Sequence, residues 1–178
     1  MTLTISSWNA ITTDNFKADG VNVDLTDFNC WEEVKAFLEK KEFDLNGDDE
    51  ELCITDTTFG AMFSAELEYL NVERVVNAIY KSRVMEEYYY ERVAKAFCEA
   101  LSFEEWIDLV EEKEDDWSED ITLWPKDKED FGREYFSGVY YNLPDEVTEY
   151  IDYERYATDI LYNGGFHETS EYIVEISQ

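Results

Sequence analysis

The chain has 178 residues, of which 44% are hydrophobic and 16% aromatic, and its 44 acidic residues against 14 basic ones give a formal net charge of −30 at pH 7. This hydrophobic content is sufficient for a packed core and argues against a disordered chain. Such a charge repels nucleic acid and anionic membranes, so it excludes nucleic-acid-binding and membrane-adhering classes and predicts a partner with a basic surface.

Three features of the sequence favour the cytoplasm. No segment approaches the roughly 18 consecutive apolar residues needed to span a bilayer, and residues 1–10 lack the basic and apolar regions of a secretion signal. Cys30, Cys53 and Cys98 are odd in number and widely spaced, which is typical of reduced thiols. Two of them are expected to pack as small apolar side chains.

The first part of the chain, residues 1–62, predicts a small α+β unit. Its strand-like segments, the first two joined by a polar loop, are residues 3–8, 21–25 and 51–56. A helix is predicted before the third strand, with Asn29 as its N-cap and Glu32 closing a capping box. The apolar face of that helix comprises Trp31, Val34, Phe37 and Leu38.

Residues 63–101 predict a helical unit, because apolar side chains recur at helical spacing. The first apolar stripe consists of Val72, Val75, Val76, Ile79 and Tyr80. The second consists of Tyr89, Val93, Ala96, Phe97 and Ala100. Core packing is the simplest explanation for both stripes.

The last part of the chain, residues 102–178, predicts a second α+β unit. Ser102 and Glu105 form a capping box for a helix, and Pro125 ends a strand that begins at residue 121. A short helix over 127–137 and a closing strand over 172–176 are also predicted. The chain is therefore expected to have an α+β fold, in which three small units, 1–62, 63–101 and 102–178, pack end to end.

A single helix is predicted between these last two segments, opened by Pro144 and ended by residues 163–165. Its apolar face would comprise Val147, Tyr150, Ile151, Ala157 and Leu161. Its other face would carry Asp145, Glu149, Asp152, Tyr156 and Asp159. Like charges at this spacing destabilise a helix by a few tenths of a kcal/mol per pair, so their presence calls for another explanation.

No constellation of catalytic residues is recognisable in the sequence. His167 is the sole histidine and is expected to be an exposed turn residue. The acidic segment starting at Asp44 resembles a calcium loop, but its glycine, Gly47, lies too early in the segment. We therefore expect no cofactor, no metal site and no enzymatic activity, with a carboxylate-metal enzyme as the minority alternative.

The acidic side chains could form a solvated face, reflect adaptation to salt, or imitate a polyanion. Duplex DNA carries one charge per about 1.7 Å of its axis, so thirty charges correspond to roughly 50 Å of duplex. A compact chain of this length has a diameter of roughly 40 Å, so its charge density is comparable with that of DNA. The carboxylates expected on such a surface are Asp48, Asp49, Glu50, Glu51, Glu111, Glu112, Glu114, Asp115, Asp116, Glu119, Asp120, Asp127, Glu129, Asp130, Asp145 and Glu149.

The segment from residue 143 onward resembles the antirestriction motif of the ArdA family. The matching residues are Leu143, Pro144, Val147, Tyr150, Asp152, Tyr153, Tyr156 and Asp159, followed by a Gly-Gly-Phe turn. Weaker similarity extends over most of the chain. Members often have a basic residue immediately before the last motif aspartate, where this chain has Thr158.

This resemblance implies a bent, elongated, homodimeric protein of three domains whose acidic surface imitates B-form DNA. It implies that the protein occupies the DNA-binding groove of a type I restriction–modification enzyme and does no chemistry. The motif is expected near the dimer contact. A mimic directed at a CRISPR effector or a nucleoid protein is the alternative, since either would also present a basic DNA channel.

Overall fold

The computed structural model describes residues 1–13, 16–60, 64–162 and 164–177. The helices of these ranges are α1 (Trp8–Thr13), α2 (Trp31–Lys40), α3 (Ser64–Leu67), α4 (Val72–Lys81), α5 (Tyr88–Ala100), α6 (Phe103–Lys113), α7 (Lys128–Val139), α8 (Asp145–Thr148) and α9 (Tyr153–Tyr162). The strands are β1 (Thr2–Ser7), β2 (Val21–Asp24), β3 (Leu52–Thr57), β4 (Ile121–Pro125), β5 (Phe166–Glu168) and β6 (Tyr172–Ile176). They form two antiparallel three-stranded sheets, which with the helices make the predicted α+β fold.

The first sheet has the strand order β2-β1-β3. Each of its strands lies within one residue of its predicted ends. The prediction that a polar loop joins β1 to β2 is wrong for the start of this connection, which is the helix α1. The Ser7 hydroxyl accepts a hydrogen bond from the Ala10 backbone N–H at 3.1 Å, which is an N-cap arrangement. Trp8 therefore begins a helix instead of ending a strand.

The capping box predicted for α2 does not form. Cys30, not Asn29, occupies the N-cap position, and its side chain makes no capping bond. The backbone N–H and the side-chain amide of Asn29 instead donate to Glu33 Oε2, at 2.9 and 3.1 Å. The predicted apolar face is confirmed, with Phe37 only partly buried beside the buried Trp31, Val34 and Leu38.

The central helices agree closely with the predicted stripes. Asn71 caps α4 by accepting from the Arg74 backbone N–H at 3.0 Å, and the Ser102 hydroxyl caps α6 by accepting from the Glu105 N–H, also at 3.0 Å. The stripe of α4 is buried, with Tyr80 half-buried at its end. Tyr89 is the exception on α5, since it is exposed. The hydrophobic core reaches this helix only from Tyr90 and Val93 onward, so its first residues lie outside the core.

The second sheet has the strand order β4-β6-β5. The predicted strands at 121 and 172–176 are confirmed, and Pro125 is the last residue of β4. Strand β5 was not predicted. Its residue His167 pairs with Val174 and is half-buried, so the expectation of an exposed turn residue is wrong. The turn lies just before the strand, at two glycines with φ of +87° and +86°.

The single helix predicted from Pro144 is two helices, α8 and α9, separated by residues 149–152. Asp152 breaks the continuity, because its carboxylate accepts from the Arg155 backbone N–H at 3.0 Å and starts a new helix. The predicted apolar face is consequently wrong at Val147 and Tyr150, which are exposed, whereas Ala157 is buried. Residue 163, which belongs to the predicted end of this helix, lies outside the described residues.

Most buried apolar side chains of the described residues belong to one of two clusters. The larger runs from Leu3 in β1 to Val174 in β6 and includes the apolar faces of α2, α4, α5 and α6. The smaller consists of Phe131, Ala157 and Ile173, with aromatic side chains packed around them. The division of the chain at residues 62 and 101 into three domains stays a prediction.

All three cysteines are free thiols, and Cys53 and Cys98 are buried, as predicted for two of them. Burial raises the pKa of the Cys53 thiol to about 11, so this side chain is uncharged at neutral pH.

Among the described residues, no helix is both long and apolar enough to cross a bilayer.

Gly132 permits a very close approach of α7 and α9. A Cβ atom at this position would lie 2.2 Å from the Tyr153 carbonyl oxygen. We expect Gly132→Ala to lower the free energy of unfolding by about 1–3 kcal/mol, because the backbones would be forced apart. Urea denaturation measures this change. Gly138→Ala is the matched control on the same helix, since a Cβ there meets nothing within 4 Å; an equal loss in both variants would contradict the packing argument.

Candidate functional site

The carboxylates of residues 111–120 lie on a segment that a buried tryptophan anchors to the core. Trp117 is 1% exposed, and its indole N–H donates to the Ser82 carbonyl oxygen at 3.1 Å. Its ring packs edge-on against Trp106, with ring centroids 6.0 Å apart. Because Trp117 and Ser118 occupy the buried side of the segment, the flanking acidic side chains face solvent.

Most carboxylates of this segment have no basic partner. Within the described ranges, those that are exposed and form no ion pair are Glu112, Glu114, Asp115, Asp116 and Glu119. Glu111 pairs with Arg74 at 2.6 Å, and the hydrogen bond from Arg74 holds the pKa of Glu111 below its ordinary value. Asp120 is half-buried and pairs with Lys113. The segment therefore presents a net negative surface at neutral pH.

Three further predicted carboxylates surround the start of α7. Asp127 is the N-cap and accepts from the backbone N–H groups of Glu129 and Asp130, each at 3.0 Å. Glu129 pairs with Arg133 at 2.6 Å. All three carboxylates are exposed, and two of them lie in the first helical turn, where the helix dipole stabilises negative charge.

The predicted surface at residues 48–51 requires one correction. Asp48, Glu50 and Glu51 are exposed, but Asp49 is 1% exposed. It accepts hydrogen bonds from Ser7 Oγ at 2.6 Å and Lys17 Nζ at 2.5 Å. Asp49 is thus a structural side chain within the fold and does not belong to the acidic surface.

The first half of the motif segment lies on the surface of the protein. Leu143, Pro144 and Val147 are exposed, and Tyr150 is 87% exposed. The adjacent Glu149 is also exposed. Asp145 begins α8, but its side chain lies outside the described part of the structure. Val139, Tyr140 and Tyr141 are exposed as well. We call the exposed residues of this stretch the 139–150 patch; they are Val139, Tyr140, Tyr141, Leu143, Pro144, Val147, Glu149 and Tyr150.

The second half of the motif packs against α7. The rings of Tyr153 and Tyr156 contact the Phe136 ring edge-on, with centroid separations of 5.7 and 5.2 Å, and burial raises the pKa of Tyr156. Asp159 is exposed. The Thr158 hydroxyl donates to the Glu154 carbonyl oxygen of its own helix at 2.9 Å.

Sequence reasoning missed a groove lined by α1, α2, the segment that leads into β3 and the start of α4, which we call the Trp8–Tyr69 groove. Its volume is about 460 Å³. The side chains that line it and bear on its chemistry are Trp8, Tyr69, Lys35, Glu50, Glu51, Glu68 and Glu73. The sequence predicts Trp8 at the end of a strand, and Tyr69 lies in a turn, so no periodic pattern in the sequence links them.

The carboxylates of the described residues do not converge in the manner of a metal site. In these ranges, no three or more His, Cys, Asp or Glu side chains are placed to hold one ion. The acidic groups are instead distributed along loops and helix ends, an arrangement suited to contact with an extended basic surface.

Comparison with protein families identifies the chain. The family model described as antirestriction protein (ArdA) matches residues 15–175. The chain belongs to the ArdA antirestriction protein family. This assignment agrees with the resemblance seen in the motif segment. The match covers nearly the whole of this chain. A comparison with curated proteins found no match.

Proposed function

We propose that this ArdA-family protein is a DNA mimic that occupies the DNA-binding groove of a type I restriction–modification enzyme in the bacterial cytoplasm. The observation that carries this proposal is the exposed 111–120 segment, whose carboxylates are anchored by Trp117 and largely lack basic partners. Uncompensated charge of this kind is costly to the fold, and a basic partner surface would relieve the repulsion.

The proposed mechanism is competition without chemistry. A groove lined with Lys and Arg side chains focuses a positive potential, which accelerates the approach of a complementary acidic surface. Because Glu112, Glu114 and Asp115 are exposed, salt should screen their interactions and weaken binding. The protein itself would neither bind nucleic acid nor cleave it.

A cleavage assay tests this function. Purified type I enzyme is given unmodified plasmid and ATP, with increasing amounts of the protein, and intact plasmid is quantified. We expect full inhibition near stoichiometric concentrations. Polyglutamate at the same total charge is the control for charge alone. The proposal would be contradicted if polyglutamate inhibited cleavage as well as the protein does. It would also be contradicted if the protein itself cleaved plasmid in the presence of magnesium or manganese.

We further propose that the protein forms a homodimer through the 139–150 patch. Exposed apolar and aromatic side chains are concentrated in this stretch of the chain, which includes the first half of the motif. Exposed apolar surface commonly marks a protein interface. The alternative of a purely structural role suits Tyr153 and Tyr156, which pack on α7, but not the outward-facing Tyr150.

Tyr150→Ala is expected to weaken the dimer about tenfold or more without lowering the stability of the monomer. Aromatic side chains at interfaces frequently contribute over 1 kcal/mol, whereas an 87% exposed ring contributes little to its own fold. Analytical ultracentrifugation over a range of concentrations measures the dissociation constant. Tyr162→Ala, at an 86% exposed position outside the patch, is the control. An unchanged dimer in Tyr150→Ala would remove this patch from the interface.

A further inference from the structure

The Trp8–Tyr69 groove has aromatic walls held in a defined arrangement. The rings of Trp8 and Tyr69 are stacked, with centroids 5.9 Å apart and planes inclined by 29°. The backbone N–H of Trp8 donates to the Glu51 carbonyl oxygen at 3.0 Å, which fixes α1 beside β3. Tyr69 lies in the turn before α4 and is 78% exposed, so part of the aromatic surface is open to a ligand.

The groove also has an excess of negative charge. Four carboxylates line it, against a single lysine, Lys35. In the described part of the chain, none of these four carboxylates forms an ion pair. They are Glu50, Glu51, Glu68 and Glu73. Their formal charges and that of Lys35 leave a net charge of −3, so an occupant of complementary charge is cationic.

The combination of aromatic faces and carboxylates favours a guanidinium group over other cations. A guanidinium is planar, stacks on aromatic rings, and donates to carboxylates through several N–H groups at once. A lysine ammonium is more strongly hydrated and cannot stack. Phosphate groups of DNA provide negative charge but no aromatic face, so such a groove would hold an arginine by contacts that DNA phosphates do not make.

We propose that the Trp8–Tyr69 groove binds an arginine side chain from the DNA-binding surface of the partner enzyme, an inference that rests on the proposed function. The groove then acts as a localised anchor within an otherwise diffuse acidic surface. Arginine, tyrosine and tryptophan are the residues that most often dominate interface energetics. Its aromatic walls make the contribution of this site less sensitive to salt than that of the exposed carboxylates.

The direct test uses capped arginine (N-acetyl-arginine amide) as the probe and the Trp8 indole N–H resonance as the reporter, assigned with Trp8→Phe. We expect a saturable shift with arginine and a weaker one with capped lysine. Tyr69→Ala should reduce the affinity about two- to fivefold, the range of an exposed cation–π contact. Tyr69→Phe retains the ring and should bind as the unaltered protein does.

Two matched controls separate the groove from general acidity. Tyr162→Ala removes an equally exposed tyrosine elsewhere, and Glu112→Gln removes one exposed carboxylate outside the groove. Equal effects of Tyr69→Ala and Tyr162→Ala, or of Glu73→Gln and Glu112→Gln, would overturn the arginine site. If arginine binds as expected but the protein does not inhibit the type I enzyme, the proposed target is wrong and the arginine site stands.

Discussion

Asp49→Ala is expected to lower the free energy of unfolding by about 3–5 kcal/mol, the loss typical when one member of a buried ion pair is removed. The substitution leaves Lys17, whose side chain is 14% exposed, without its carboxylate. It also removes the acceptor for the Ser7 hydroxyl and for the Asp44 backbone N–H, which lie 2.6 and 2.9 Å from the Asp49 carboxylate. These bonds join β1, the turn after α2 and the segment before β2.

The neighbouring carboxylate provides the control for this prediction. Asp48 is exposed, so Asp48→Ala changes the net charge equally and should alter stability by no more than about 0.5 kcal/mol. Urea denaturation of both variants at neutral pH measures the difference. Similar stabilities for Asp48→Ala and Asp49→Ala would show that the ion pair contributes little to the fold.

The ionisation of Asp49 also sets the direction in which the free energy of unfolding changes with pH. Burial alone raises the pKa of Asp49, but hydrogen bonds from Lys17, Ser7 and the Asp44 backbone together outweigh it and hold the pKa below its ordinary value of 3.8. A depressed pKa contributes stability that is fully present above the unfolded value and is lost as pH falls through the folded value. The difference in stability between the unaltered protein and Asp49→Ala should therefore shrink as pH falls below about 3.8.

Neutralising the unpaired carboxylates of the 111–120 segment is expected to weaken inhibition in proportion to the number removed. The positions are Glu112, Glu114, Asp115, Asp116 and Glu119. Each exposed charge contributes about 0.2–1 kcal/mol to an interaction, so a single Gln or Asn substitution should reduce affinity less than about tenfold. All five together should cost about 1–5 kcal/mol, and inhibition of the type I enzyme measures this loss.

Folding is not expected to account for that loss. Removing like charges relieves self-repulsion, so the fivefold variant should unfold at an equal or higher urea concentration. Exchanging Asp115 and Asp116 for glutamate preserves the charge and should preserve inhibition. Abolition of binding by one substitution, or normal inhibition by the fivefold variant, would be incompatible with a distributed acidic surface.

Local signals in the sequence were sufficient for most elements. The Ser102 cap, the stripe from Val72 to Ile79 and the termination of β4 at Pro125 depend on neighbouring residues, and the structure confirms each of them. The family resemblance likewise rested on a contiguous motif. These predictions succeed because capping, helical periodicity and proline chemistry act over a few residues.

Prediction failed mainly at residues whose burial or contacts depend on partners far away in the sequence. Asp49 lies in a polar turn and gave no sign of burial, because its partners Lys17 and Ser7 are 32 and 42 residues away. Tyr69 and Trp8 meet only in the folded chain. The exposure of Tyr150 could have been anticipated, since Asp152 is a favourable N-cap residue and signals a new helix.

Direct displacement of DNA tests the central claim most closely. A fluorescent unmodified duplex is bound to the methyltransferase core of a type I enzyme, and the protein is titrated while anisotropy is followed. DNA mimicry predicts that the two ligands never bind together and that the midpoint of displacement rises in proportion to duplex concentration. A ternary complex of enzyme, duplex and protein, or a midpoint independent of duplex concentration, would contradict it.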